Sequence, residues 1–512
     1  MQLGQSMATD ASANVEGSAY TIRHIDAVRG DGVFAARALP AGTLLFTEYP
    51  LVAMQHAANQ RSGVLCCERC FCFLGPLEAQ VGSLLRGRGA TLDVLPTKLP
   101  HVDGAPTLRT PVCCMGGCGL QYCSEACAAS DFAAQHRLLC PGLACVAIDD
   151  KGAKRVRADA AQARVASARV DPVLEVGLTT MSIQGGEGGS STGQVAGGDA
   201  SVDVSDGSAA GSAAGSGAAA PGGSDDGGGL ETLLNGLPDD PLTRFRAHAS
   251  TTNEIFHLAA KACALVLCQL EGVPAEKMAP TYEAAMAPFS AAPVWWEAVA
   301  TPDDVNDESY FRRTLRTLLT ESWTLLAAVL AKHVPAGCPL FASDAPYARI
   351  VGSFERRNCS VCVASPVEAY LLAADEIPQT HPDKAAVSAV TGPLLDALDA
   401  SYATPLDGIG LFPLQATLNH SCEPNVSLLK ATGDEESDGR IVARTTRDVA
   451  AGDELCNPYV DVTLPLRRRR RELREYGFDC DCAKCARELE AAAAAKEAKG
   501  AGEKKAGKRR LK

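Results

Sequence analysis

Cysteine spacing restricts how this chain can fold more than any other feature. Its 21 cysteines cluster instead of spreading. Near the C-terminus, "EYGFDCDCAKC", residues 475–485, places Cys480, Cys482 and Cys485 in a C-x-C-x2-C pattern. Earlier, Cys67-x2-Cys70, Cys114-x3-Cys118, Cys123-x3-Cys127 and His136-x3-Cys140 supply eight more candidate ligands. Thiolates and an imidazole at such spacing suit tetrahedral zinc, which takes four N or S ligands in structural sites. Eight ligands close two sites and leave no position for a catalytic water, whereas three thiolates leave another site one ligand short. In "YCSEACAASDFAAQHRLLC" the last four ligands fall on sequence that reads as helix, so one helix can serve two neighbouring metals. Cys66, Cys72 and Cys113 adjoin these ligands and leave the register open by one position.

Clustered thiols favour metal over disulfides in a reducing compartment. No stretch near the N-terminus combines a basic start, an apolar run and a cleavage site, and no apolar run reaches bilayer length. A nuclear or cytosolic protein with no membrane span is expected. The formal net charge of -13 argues against a global positive field for nucleic acid and tolerates a basic peptide partner.

Along the chain, residues 1–18 are small and polar, and disorder is expected there. Residues 20–55 contain short β-branched runs broken by Gly30, Gly32 and the Pro40-Ala41-Gly42 turn, which read as two or three strands. The cysteine-rich block spans 64–145, interrupted by a Gly, Leu and Pro-rich loop near 82–110. Residues 184–229 are a low-complexity linker that cannot bury enough apolar surface to order itself. Residues 231–335 read as helical: Thr251 and Glu254 fit a capping box before one apolar run, and "SYFRRTLRTLLTESWTLLAAVLAKHV" forms another helix. Residues 340–464 turn back to short strands. Residues 465–486 open with a short helix whose Arg467–Arg471 run reads as a solvated face in preference to a phosphate contact. The tail, 487–512, is basic and reads equally as a frayed end or a nuclear localisation signal.

In chain order, "RGDGVFA" from Arg29, "NHSCEPN" from Asn419 and "AGDELCNPYVD" containing Tyr459 together resemble the SET domain of protein lysine methyltransferases. The eight-ligand block resembles the MYND zinc module, placed between the SET halves as in the SMYD-type branch. "CERCFCFLGPLEAQVGSLL", the split zinc block and "TTNEIFHLAAK" resemble the plant trithorax-related SET proteins. The resemblance implies an α+β protein: a SET β-clip of short strands, an inserted MYND-like module, a helical middle region and a zinc-bound post-SET segment. It also implies three structural zinc sites. Cys67, Cys70, Cys123 and Cys127 would hold one, and Cys114, Cys118, His136 and Cys140 the second. Cys422, which ends "NHSC", would complete the third with Cys480, Cys482 and Cys485.

The implied cofactor is S-adenosyl-L-methionine, a cation that needs close backbone approach, hydrogen bonds and an apolar wall. Gly30 and Gly32 permit the approach, Asn419 and His420 offer polar groups, and the Phe478 ring can lie against adenine. By resemblance Arg29, Asp31, Leu418 and Asn358 add cofactor contacts, Tyr459 is the catalytic tyrosine, and Tyr476 completes the lysine channel. Methyl transfer is an in-line displacement that depends on positioning and desolvation. The lysine must arrive neutral although its free pKa is about 10.4, and a narrow apolar channel favours that form.

The expected substrate is histone lysine, with non-histone proteins as the alternative. A nuclear monomer is expected, or one shared with the cytoplasm. The MYND-like module would dock transcription factors or other peptides. A MYND-type adaptor on a decayed SET scaffold is the competing reading. DNA-binding zinc fingers fail on charge and on the lack of a basic recognition helix.

Overall fold

The computed structural model describes residues 18–26, 29–142, 240–302, 305–430 and 437–495. The expected disordered start, the 184–229 linker and the tail beyond 495 lie outside the described residues. Within them run β1 (Tyr20–Asp26), β2 (Gly30–Ala35), β3 (Leu44–Glu48), β4 (Val52–Gln55), β5 (Val112–Cys113), β6 (Gln121–Tyr122), β7 (Asn358–Val363), β8 (Leu406–Leu411), β9 (Asn419–His420), β10 (Val426–Lys430), β11 (Ile441–Thr445) and β12 (Glu454–Asn457).

Both ends of the chain build the same sheets. The orders are β1-β2-β12-β9, β10-β11-β3 and β4-β8-β7, with β5-β6 as a separate ribbon. Among these strands of the described residues the β12–β9 pairing alone is parallel, setting Cys456 against Asn419 and Asn457 against His420. Residues 20–55 hold four strands, more than the sequence reading anticipates, because β3 and β4 separate at the Tyr49-Pro50 step into different sheets. β7 alternates half-buried and buried positions, as a strand with one covered face should.

The helical core lies behind β4. Helix Ile255–Leu270 is apolar on nearly every face and is correspondingly buried. Helix Glu308–Leu330 buries one stripe, Phe311, Leu315, Leu319, Ser322, Leu326 and Leu330. Phe256 meets the Trp295 ring edge-on at 5.4 Å in this core.

Several local expectations differ from the structure. The capping box does not form: the Thr251 hydroxyl donates to Ala247 O inside the preceding helix, Pro241–Thr251. Asn253 Oδ1 instead accepts the Ile255 N–H at 3.0 Å. Glu254 is drawn away because its carboxylate takes His56 Nδ1 at 2.6 Å and the Ala57 N–H at 2.9 Å. The 82–110 loop begins inside a helix, Leu77–Gly87, whose Val81, Leu84 and Leu85 pack into the core. Residues after Ile350 are not all strands and turns, since helix Ala345–Arg357 precedes β7 and helices Pro366–Glu376 and Lys384–Leu398 separate β7 from β8.

The His56–Glu254 contact joins the strands to the helical core, and its pH dependence has a definite sign. The Glu254 hydrogen bond raises the His56 pKa above its usual 6.5, and that bond also holds Glu254 below 4.5 against the opposing effect of burial. The histidine contribution is full below about pH 6.5 and is lost as pH rises through the raised folded value. Calorimetry of the wild type should therefore show stability falling, relative to His56→Gln, as pH rises above about 6.5. Parallel pH profiles for the two proteins would remove the contact from the account.

Candidate active site and metal centres

β9 is only two residues long, yet it sets the geometry of the site. Parallel pairing with β12 brings Asn419 and His420 beside the chain that leads to Tyr459. Asn419 Nδ2 donates to Glu454 Oε1 at 2.8 Å and reaches Asp31 O at 3.4 Å, which ties β9 to β12 and β2. Gly32 lies against the same pair: a Cβ there would stand 3.1 Å from both Asn419 Nδ2 and Glu454 Oε1. At Gly30 the backbone takes φ +66°, a left-handed value that favours glycine. Gly32 is thus favoured by its close approach to β9, and Gly30 by its backbone conformation alone.

The Tyr459 N–H donates to His420 Nδ1 at 2.9 Å, so Nδ1 is the acceptor and the ring proton belongs on Nε2. Burial, with Arg469 nearby, pushes the His420 pKa down to about 4, leaving a neutral imidazole. The Tyr459 hydroxyl donates to the Leu418 carbonyl at 2.7 Å, and the Leu418 side chain is fully buried. Burial raises the Tyr459 pKa well above 10, so the phenol is neutral. Around it Tyr476 lies at 5.0 Å between ring centroids, His420 at 5.4 Å and Phe478 at 6.3 Å. The Tyr476 hydroxyl reaches Tyr459 O at 3.4 Å. Four rings therefore meet at the end of β9.

Other predicted residues stand differently. Arg29 pairs with Asp26 and Asp31 with His24, both on exposed surface. The Asn358 amide, at the start of β7, donates to Phe354 O in the preceding helix, which occupies that donor.

The cysteines gather into three groups of four: Cys67, Cys70, Cys123 and Cys127; Cys114, Cys118, His136 and Cys140; and Cys422, Cys480, Cys482 and Cys485. In each, the ligand atoms lie within 4.8 Å of one another. Tetrahedral zinc with Zn–S bonds of about 2.3 Å needs sulfurs about 3.8 Å apart. The measured pairs fit: Cys70–Cys123 and Cys123–Cys127 at 3.5 Å, Cys114–Cys140 at 3.9 Å, Cys422–Cys485 at 3.5 Å and Cys422–Cys480 at 4.0 Å. Burial lowers the His136 pKa, which favours the neutral ligand form. Gly116 leaves room for the second group, since a Cβ there would lie 2.5 Å from Cys140 Sγ.

The local fold explains these placements. Cys123 precedes the helix Glu125–Asp131 instead of lying on it, because Ser124 caps that helix by accepting the Cys127 N–H at 3.1 Å. A π-helical turn, Phe132–His136, then re-aims His136 beside Cys118 at 3.2 Å. The register is explained at two of the three open positions: the Cys66 thiol turns to Gln55 Oε1, and Cys113 is exposed on β5, whereas Cys72 Sγ stands 3.5 Å from Cys70 Sγ beside the first group.

Three supporting residues escaped the sequence reading. Glu48 is buried and accepts the Leu414 and Gln415 N–H groups at 2.8 Å each, fixing the turn before Leu418; burial raises its pKa to about 7. Glu454 orients Asn419. Arg469 is not on a solvated face: it is 1% exposed, with its guanidinium at Cys422 and Cys485. Leu466, Arg469 and Leu473 recur at helical spacing, a pattern that marks Arg469 as inward-facing.

The SET domain family model matches residues 306–460. Strands outside that range complete its sheets, since β2 pairs with β12, β3 with β11 and β4 with β8. Histone-lysine N-methyltransferase ATXR2 of Arabidopsis thaliana is 28% identical over 89% of this chain and 88% of its own length. Histone-lysine N-methyltransferase SMYD3 of Mus musculus is 38% identical over 15% of this chain and 17% of its own. A SET and MYND domain-containing protein of Dictyostelium discoideum is 35% identical over 17% of this chain and 24% of its own. Sheets closed by strands from both ends, a ligand block between them and similarity along most of one relative lead to one assignment: the chain carries a SET domain and is similar to SET and MYND domain-containing proteins.

Proposed function

We propose that this protein is a protein-lysine N-methyltransferase that uses S-adenosyl-L-methionine and acts on histone lysine. The packing of Tyr459, Tyr476, Phe478 and His420 at the Asn419–His420 turn carries the reading. The named activities of the ATXR2 and SMYD3 relatives favour histone over other protein lysines.

The residues fit the cofactor. Gly32 keeps its backbone bare where a side chain would press on Ile25, Asn419 and Glu454, Asn419 and His420 offer polar groups beside it, and the Phe478 ring, packed against His420, supplies an aromatic face. When bound, the cofactor supplies a methyl group on a sulfonium. The chain's own part is to position and desolvate. Tyr459 gives its proton to Leu418 O, so its oxygen remains an acceptor that can orient an amine N–H. Desolvation in this buried site disfavours an ammonium and favours the neutral amine needed for displacement. His420 holds the Tyr459 backbone, so the tyrosine is fixed at both its main chain and its hydroxyl.

Zinc is proposed for all three ligand groups, each closed and structural. The third ties the segment bearing Tyr476 and Phe478 to the turn bearing Asn419 and His420. The MYND-like module is proposed to dock peptide partners, and a nuclear location follows from the histone substrate.

The test is methyl transfer from labelled cofactor to histones and nucleosomes. Tyr459→Phe should lower kcat by about 100-fold while cofactor affinity stays near wild type. Unlabelled histones, nucleosomes and cell-extract proteins would reject the catalytic reading, and failure of calorimetry to detect cofactor binding would favour an adaptor.

A further inference from the structure

Five consecutive arginines, Arg467–Arg471, lie in the helix Leu466–Arg474, and one of them is sealed inside. Arg467, Arg468 and Arg471 are exposed, whereas Arg469 is 1% exposed. A buried guanidinium is costly unless its charge and donors are matched. Arg469 is matched at four points. Nε donates to Cys422 Sγ at 3.4 Å, and Nη2 reaches Cys485 Sγ at 3.8 Å and Glu488 Oε2 at 2.7 Å. Nη1 donates to Leu464 O at 2.5 Å.

These acceptors lie on three separate pieces of chain. Cys422 follows the Asn419–His420 turn, Leu464 follows Tyr459, and Cys485 and Glu488 lie one turn apart on the helix over 483–495. A planar fork with five donors can join them, and lysine cannot reproduce that geometry. Four thiolates around a divalent cation leave surplus negative charge, which a buried cation offsets. Hydrogen bonds to ligand atoms also fix ligand orientation and metal retention.

We infer that Arg469 is a positioning residue that locks the Cys422–Cys480–Cys482–Cys485 site and thereby holds Tyr476 and Phe478 over the cofactor side of the site. This inference rests on the zinc and cofactor assignments proposed above, but its first readout is independent of catalysis. Zinc release from the full-length protein is followed with a colorimetric chelator at fixed pH.

In Arg469→Met, about one of the three zinc equivalents should leave at least about 10-fold faster, with the other two unchanged. Arg468→Met should match wild type. Arg469→Lys, which keeps charge without the fork, should fall between. If Arg469→Met does not fold, Glu488→Gln serves as the milder probe, with a smaller acceleration of the same zinc. Cofactor affinity should fall about 10-fold in Arg469→Met and not in Arg468→Met, following the zinc that moves. Equal release from wild type, Arg469→Lys and Arg469→Met would overturn the inference, as would acceleration of all three zincs together or a wild type with only two. A protein that binds no cofactor yet shows selective release would reject the methyltransferase reading and leave Arg469 as the lock.

Discussion

Cys422→Ser should lower bound zinc by about one equivalent and abolish methyl transfer. The thiol is 2% exposed and lies 3.5 Å from Cys485 Sγ and 4.0 Å from Cys480 Sγ, so it completes a set that is otherwise one ligand short. A serine hydroxyl does not ionise near neutral pH and cannot replace the thiolate. Two further contacts would be weakened. Arg469 Nε would lose the sulfur it donates to, and His420 Nε2, 3.3 Å from that sulfur, would lose a neighbour on the ring that holds the Tyr459 backbone. Phe478 stands two positions before Cys480, so slack in the metal site passes directly to the aromatic wall. Elemental analysis beside the transfer assay checks this, with Cys485→Ser expected to behave alike and Cys66→Ser to keep its zinc. Full zinc with full activity in Cys422→Ser would separate Cys422 from the site.

The ligand groups were legible because metal coordination imposes local spacing that survives in sequence. Cys67 with Cys70 and Cys123 with Cys127 announce themselves as pairs. Cys422 does not, since 58 positions separate it from Cys480, and only the resemblance of "NHSCEPN" to a SET motif joined them. The one-position register could not be read from spacing, because a strand turns adjacent side chains to opposite faces. Cys66 and Cys113 are excluded by direction, not by chemistry. Glu254 shows the reverse failure: its sequence fits a capping box, but a distant histidine and the Ala57 N–H offered its carboxylate better partners. Arg469 falls between these cases. Five identical residues carry no distinguishing composition, yet the Leu466, Arg469, Leu473 spacing contained the answer.

Gly477→Val should lower kcat/KM by about three orders of magnitude, roughly 4 kcal/mol, with all zinc retained. Gly477 joins Tyr476 to Phe478 with φ +86°, a left-handed conformation that costs an L-residue about 1–2 kcal/mol and a β-branched one more. Space is also lacking. An added Cβ would stand 2.0 Å from Arg356 Nη1 and 3.0 Å from Arg356 Cζ. A long side chain usually swings clear of such a clash, but Arg356 Nε donates to Ala298 O at 2.6 Å, and breaking that charged hydrogen bond costs about 1.5–3 kcal/mol more. The helix end and the Tyr476–Phe478 link therefore cannot both keep their places. Because the cysteine ligands lie outside this link, the metal should stay while the ring geometry is lost, the opposite of the Arg469→Met pattern. Asn tolerates left-handed backbone better than Ala, and Ala better than Val, so strain alone would rank activity Gly477→Asn, Gly477→Ala, Gly477→Val. If contact with Arg356 dominates, Gly477→Ala should exceed Gly477→Asn instead, because it adds the smaller side chain. Equal activity in all three would show that neither the backbone at Gly477 nor its fit against Arg356 governs where Tyr476 and Phe478 stand.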